Sequence, residues 1–170
     1  MDKAITTAIF IVISLIMALA LFNIAYPAII QGGDAIASMT ARSEDRMKSQ
    51  FTIIHAVGEL DHSGWWQDTN GNGRFDVFIW AKNTGSMRIS ALDQIDLFFG
   101  PEGNFTRIPH ESEANGSFPN WSWTVENGAD WTPTATLRIT VHYGLPLSSG
   151  RYYTKVTIPN GISDSYFLSM

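Results

Sequence analysis

Between Ala4 and Gly33 the chain carries no charged residue, and from Ile5 to Ile30 its Ile, Leu, Val, Ala, Met and Phe are interrupted only by Thr6, Thr7, Ser14, Asn23, Tyr26 and Pro27. Such a run leaves few options. About 20 apolar residues cross a bilayer as a helix, and a helix apolar on every side must be covered by lipid or by other helices. A removed secretory signal fits poorly, because it needs a basic start, a shorter apolar stretch and a small-residue cleavage site, which Gln31 to Ser38 resembles only weakly.

Beyond the apolar run, Ile36, Met39, Thr40, Ser43, Met47, Gln50, Phe51, Ile54 and Val57 recur at intervals of three and four. Asp34, Arg42, Glu44, Asp45, Arg46 and Lys48 take the other side. This periodicity predicts an amphipathic continuation of the helix to about His55. The N-terminal element would be roughly 80 Å long at about 1.5 Å per residue, with the domain boundary between residues 56 and 57. Pro27 cannot donate to the carbonyl of Asn23, and Gly32 and Gly33 lower helix propensity, so a bend or loosened turn is expected at 27–33. A simple membrane anchor has no use for the extension, whereas a helix that packs against copies of itself does. Ile5, Ile9, Val12, Ile13, Leu15, Ile16, Leu19 and Phe22 are the expected assembly contacts.

After Val57 the pattern becomes that of strands. In Phe75–Asn83, Phe75, Val77, Ile79 and Ala81 face one way and Phe78 and Trp80 the other. Further strands are expected at Ile95–Phe99, Trp121–Val125, Thr134–Tyr143, Tyr152–Ile158 and Ser165–Leu168, separated by the turn signals Asn83-Thr84-Gly85, Gly100-Pro101, Asn127-Gly128, Ser149-Gly150 and Asn160-Gly161. The fold class read from this order is α+β: a long hydrophobic helix over residues 1–56, then an antiparallel, immunoglobulin-like β-sandwich head over 57–170. At 170 residues there is room for one ordinary domain and an appendage, not for a second enzyme-sized domain. A net charge of -5 with 11 basic residues, Arg42, Arg46 and Lys48 alternating with Glu44 and Asp45, makes nucleic acid a poor partner. The chain has no cysteine, which excludes disulfides and thiolate chemistry, so any durable assembly rests on packing.

Two phrases carry a family resemblance. Val77-Phe78-Ile79-Trp80-Ala81-Lys82-Asn83-Thr84-Gly85-Ser86 is a strand followed by an Asn-Thr-Gly-Ser turn, and Val156-Thr157-Ile158-Pro159-Asn160-Gly161-Ile162-Ser163-Asp164 is a C-terminal strand and turn. With the N-terminal helix they resemble the archaellins and pilin-like accessory proteins of the archaellum, within the type IV pilin superfamily. The resemblance implies insertion in the cytoplasmic membrane as a precursor, leader cleavage by a prepilin-type peptidase, extraction by an assembly motor, and an extracellular helical homopolymer with the apolar helices in its core. Met1-Asp2-Lys3 alone precedes the apolar run, so cleavage falls after Lys3 or the mature chain starts at Met1. Neither Ile5 nor Ala8, the fifth position on the two readings, is the glutamate usual in bacterial type IV pilins. The archaeal type is therefore preferred.

Asp68-Thr69-Asn70-Gly71-Asn72-Gly73-Arg74-Phe75-Asp76 has oxygen side chains at the first, third and fifth positions and glycine at the sixth, as in a calcium loop. Asp68, Asn70, Asn72, the Arg74 carbonyl and Asp76 form the candidate calcium set. Ile79 stands where a calcium loop ends in a bidentate Glu, and two Asn-Gly pairs leading into a strand make an ordinary turn an equal alternative. Asn104, Asn115 and Asn120 each open an N-x-[ST] glycosylation pattern. Trp65, Trp66, Trp121, Trp123 and Trp131 are read as packing residues in preference to a sugar-binding platform. His55, His62, His110 and His142 have no metal spacing, and no catalytic motif is visible, so an enzyme is not expected. The principal functional expectation is an extracellular motility-filament subunit. The alternatives are a minor pilin-like stator or anchor of the same machinery, and a membrane-tethered calcium- or sugar-binding sandwich.

Overall fold

The computed structural model describes residues 2–170, which form two compact units, one ending at Ser43 and the other spanning Glu44–Met170. The cleavage reading that starts the mature chain at Met1 lies outside the described residues. In chain order the elements are α1 (Asp2–Lys48), β1 (Phe51–Gly58), β2 (Phe75–Asn83), β3 (Asp96–Pro101), β4 (Thr106–Ile108), α2 (Glu111–Ala114), β5 (Asn120–Val125), β6 (Thr136–Tyr143), β7 (Arg151–Thr157) and β8 (Ser163–Ser169), with a 3-10 turn at Leu92–Gln94.

Helix α1 runs through Pro27, Gly32 and Gly33 without interruption, in place of the loosened turn expected there. Its side chains from Ile5 to Ile30 are exposed on every side, including all eight expected assembly residues. That is the surface of a helix built for lipid or for other helices rather than for water.

The head is a two-sheet antiparallel sandwich, with strand orders β1-β2-β6-β5 and β4-β3-β7-β8. Alternation explains its core. Phe75, Val77, Ile79 and Ala81 of β2 are fully buried, as are Leu137, Ile139 and Val141 of β6, and the other sheet adds Leu97 and Phe99 of β3 and Tyr152 and Val156 of β7 to the same core. Each such side chain contributes about 1.5–3 kcal/mol by leaving water. The registers, with Asp164 beside Ile53 and Met170 beside Gly58, set the loops 59–74, 102–105 and 144–150 at the end of the sandwich opposite the entry of the chain at Gln50, while 109–119 crosses from one sheet to the other.

The helix stops earlier than the periodicity implied. Residues 51–58 form β1, an edge strand paired with β2, and they belong to the head, whose compact unit begins at Glu44 and not after residue 56. The reason is a β-bulge. The register slips between Ile53 and His55, so the inward residues are Phe51, Ile53, Ala56 and Gly58, while Ile54 and Val57 are exposed. One inserted residue turns a period of two into an apparent period of three, and Phe51, Ile54 and Val57 then imitate a helical stripe. Strand β4, three residues long, is too short to leave a periodic signal.

Candidate functional site

The two sequence phrases quoted above fold onto one place, where the chain enters the head. Asn83, fully buried, organises the first: its side-chain amide donates to the carbonyls of Met87 (2.8 Å) and Trp131 (3.0 Å), and its side-chain oxygen accepts from the Gly85 amide (2.9 Å). The turn so shaped presents its backbone donors to the end of α1. Ser86 and Met87 donate to the Lys48 carbonyl at 2.9 and 3.2 Å, and Thr84 and Gly85 donate to that of Gln50 at 2.9 and 2.8 Å. The last carbonyls of a helix have no partner within it, and here the Asn-Thr-Gly-Ser turn supplies one for Lys48. Gly85 is required by proximity: a methyl group there would overlap the Lys48 carbonyl oxygen and stand 2.5 Å from the Gln50 amide nitrogen.

The second phrase closes the same collar from the other sheet. Arg46 Nε donates to the Asn160 carbonyl at 2.9 Å, and the Asp164 carboxylate accepts from the Ile53 amide at 2.8 Å, which occupies a donor on the edge of β1. Residues 46–53 are therefore held by both sheets.

At the opposite end lies the loop read as a calcium site. Asp68 Oδ1 accepts from the amides of Gly71 (2.7 Å) and Asn72 (3.2 Å), and its Oδ2 from Gly73 (2.8 Å). Asn70 Oδ1 accepts from the Asn72 amide and Asn72 Oδ1 from the Arg74 amide. The loop oxygens are thus engaged by the loop's own backbone, and the side-chain amide nitrogens of Asn70 and Asn72, rather than their oxygens, face Asp76 Oδ2 at 2.8 Å each. An ion placed among these residues requires both amides to turn over. Among the described residues no group of three or more His, Asp or Glu stands in a metal-holding arrangement. Arg74 directs its guanidinium over the Phe118 ring, 5.0 Å from its centre.

Asp76 is fully buried on the outer side of β2, and its other oxygen receives His142 Nδ1 at 2.7 Å. A carboxylate only accepts, so Nδ1 carries the proton, and in the neutral ring Nε2 accepts from the Ser122 hydroxyl at 2.9 Å. Burial by itself pushes the Asp76 carboxyl upward, but the hydrogen bonds from His142, Asn70 and Asn72, and the charge His142 carries when protonated, outweigh it and hold the group below the ordinary carboxylate range. Acid, imidazole and hydroxyl follow one another in the order of a nucleophilic triad. They lie across adjacent strands of a sheet face, where the network's evident work is to satisfy a buried charge.

Sequence reasoning missed Glu59. Buried just past β1, it accepts from the amides of Thr69 (3.0 Å) and Asp76 (3.1 Å), from the Thr69 hydroxyl and from Trp66 Nε1 (3.4 Å), and so anchors the whole 66–76 segment. Its only signal was an acid directly after an apolar strand.

The three glycosylation candidates separate. Asn104 and Asn115 are exposed in loops, whereas Asn120 is buried in β5 with its side-chain amide donating to the Ser117 carbonyl at 2.7 Å. The tryptophans separate as well. Trp121 and Trp131 are fully buried and Trp123 donates to Asp93 at 2.7 Å, while Trp65 is 75% exposed.

No protein-family model matches the sequence, and no curated protein matches it. Among solved structures, the archaellum periplasmic stator protein FlaG from Sulfolobus acidocaldarius is similar, with 26% identity and a TM-score of 0.54 over 71% of this chain and 99% of that one. A second similar structure is that of the archaellum periplasmic stator protein complex FlaF and FlaG from the same organism, at 28% identity and a TM-score of 0.52 over 72% of this chain and 90% of that one. Both are stator proteins. The archaellum part of the resemblance is supported, and its finer part is corrected: the likeness is to stator components, one of them solved in a complex of two different proteins, and not to an archaellin in a homopolymer.

Proposed function

We propose that this chain is a stator-type component of an archaellum, tethered to the cytoplasmic membrane by α1 with its head outside. The observation that carries the reading is the likeness to archaellum stator proteins in both sequence and fold. The helix supports it independently: Lys3–Lys48 is long and apolar enough to cross a membrane, with a mean hydropathy of 2.7 in its most apolar window and nothing in that window buried. A stator must hold its position against a turning part, so the segment leading from tether to head has to resist being pulled away. Residues 46–53 meet that need through backbone and side-chain bonds to both sheets. Its partner on this reading is a second, different stator protein, as in the complex of FlaF and FlaG. The role is mechanical, and no reaction is assigned to it.

The uncharged stretch from Ala4 to Gly33 alone would serve a filament subunit equally well, so the test separates the two by location. Cells are sheared, and filaments and membranes are analysed by mass spectrometry. The chain is expected in the membrane fraction at low copy, cross-linking to a protein of different sequence. Recovery as the main protein of sheared filaments would return it to the filament class.

A further inference from the structure

Three sequons lie between Asn104 and Ser122, and the structure treats them differently. Asn104 sits at the end of a turn closed by its own amide on the Pro101 carbonyl (2.9 Å), directly before Phe105. Asn115 terminates α2 in the left-handed conformation (φ 48°), followed by Gly116 (φ 80°) and an exposed Ser117. Both asparagines are exposed, and among the described residues neither side-chain amide makes a hydrogen bond. In Asn120-Trp121-Ser122 every participant is engaged. Asn120 is 5% exposed and donates to Ser117, Trp121 is fully buried, and the Ser122 hydroxyl is bound to His142. A sugar on Asn120 Nδ2 would have to occupy the space of the Ser117 carbonyl.

The surroundings of the two free sites are unusual for a surface. Phe105 is 45% exposed and Phe118 43% exposed, each close in sequence to one free asparagine. Phe105 also extends a row of rings across the outer face of the second sheet, 4.7 Å from Tyr153, which is itself 5.1 Å from Phe167. Phe118 carries the Arg74 guanidinium on one face, 5.0 Å from its centre, and a bulky polar oligosaccharide beside these loops would cover the ring surface that remains exposed.

We propose that the head carries N-linked oligosaccharides at Asn104 and Asn115 and none at Asn120. The inference rests on the outward-facing reading given above. The donor is a lipid-phosphate-linked oligosaccharide, and a transferase acts on the exposed loop. The asparagine Nδ2 forms a bond to the anomeric carbon, the bond from that carbon to the phosphate oxygen breaks, the lipid phosphate leaves with the electron pair, and the amide gives up one proton to the enzyme.

The test uses the full chain solubilised from membranes of its native host, in cells whose other surface proteins are glycosylated by the same measurement. Intact-mass and glycopeptide spectra are expected to find sugar on the Asn104 and Asn115 peptides and a bare Asn120 peptide. Asn104→Gln and Asn115→Gln should each remove one glycan mass, and the double variant both. Protease added to intact cells reports the location of the head separately. A digestible head without sugar at Asn104 and Asn115, or sugar on Asn120, overturns the inference. A head protected from protease overturns the outward-facing reading and the modification with it.

Discussion

Replacing Gly85 by alanine tests the collar with a single methyl group. The added carbon would overlap the Lys48 carbonyl oxygen and lie 2.5 Å from the Gln50 nitrogen, and both obstacles are backbone, so no side chain can swing aside. The turn must open. Opening it loosens the amide bonds of Thr84, Gly85, Ser86 and Met87 to Gln50 and Lys48. At about 1 kcal/mol net for each bond, losing three or four costs about 3–4 kcal/mol. Removing a glycine from the unfolded chain returns only about 0.4–1 kcal/mol, so a net destabilisation of about 2–4 kcal/mol remains. For a head of this size that lowers the melting temperature by roughly 6–16 °C. The assay is thermal unfolding of the Glu44–Met170 unit followed by circular dichroism. Gly128→Ala is the control, because the nearest atom to a methyl group there is a Val125 side-chain carbon at 3.7 Å and its φ is not positive. It should stay within about 1 kcal/mol of the parent. Equal melting temperatures for the two variants would refute the claim that the Asn-Thr-Gly-Ser turn holds the helix end.

Two further outcomes concern the opposite end of the head. The Asp76 carboxyl lies below its ordinary value when folded, so its stabilisation is complete above the unfolded value of about 3.9 and fades as pH falls through the lowered folded value; melting temperatures measured from pH 7 down to pH 2 should fall, and Asp76→Asn, destabilised at pH 7 because it meets three donors with an amide, should lose its disadvantage in acid, whereas a constant gap would refute the assignment. Calcium, if it turns the Asn70 and Asn72 amides over and binds with Asp68, should raise the melting temperature with concentration; Asp68→Ala should abolish the response, and overlapping curves with calcium and with chelator would leave only the Asn-Gly turn.

Much of the head was legible because alternation and turn chemistry agree. From Phe75 to Ala81 every second residue is apolar and buried, and the phrase ends in a turn that folds as its residues dictate. What was illegible has specific physical causes. The bulge in β1 replaced alternation by a three-residue spacing, so a strand read as helix. The link between Asp76 and His142 spans 66 positions and exists only because β2 and β6 pair in one register, which no local pattern encodes. The same pairing brings Ser122 to His142 and removes Asn120 from the surface, so one of three equivalent sequons differs from the others solely through tertiary position. The calcium pattern was visible as a spacing of oxygens. Its loop was not, because which atom of each Asn faces Asp76 depends on the competing demands of a buried carboxylate.

The archaellum association was legible in the sequence and the choice between filament subunit and stator was not, and the collar explains why. The Asn-Thr-Gly-Ser turn binds the carbonyls of Lys48 and Gln50, while Asn160 and Asp164 of the second phrase bind Arg46 and Ile53. The two phrases that carried the archaellin resemblance therefore encode the attachment of a sandwich to the end of a long helix. Any protein that joins such a head to such a helix needs that attachment, whether the helix is packed in a filament or left in a bilayer. An apolar surface on all sides of α1 from Ile5 to Ile30 suits both. What separates a stator from a filament subunit is the set of faces the head offers to its neighbours, and those faces are built from exposed residues that folding constrains little. The stator reading proposed above therefore rests on likeness over 71–72% of the chain to solved archaellum stator proteins, which extends beyond the collar.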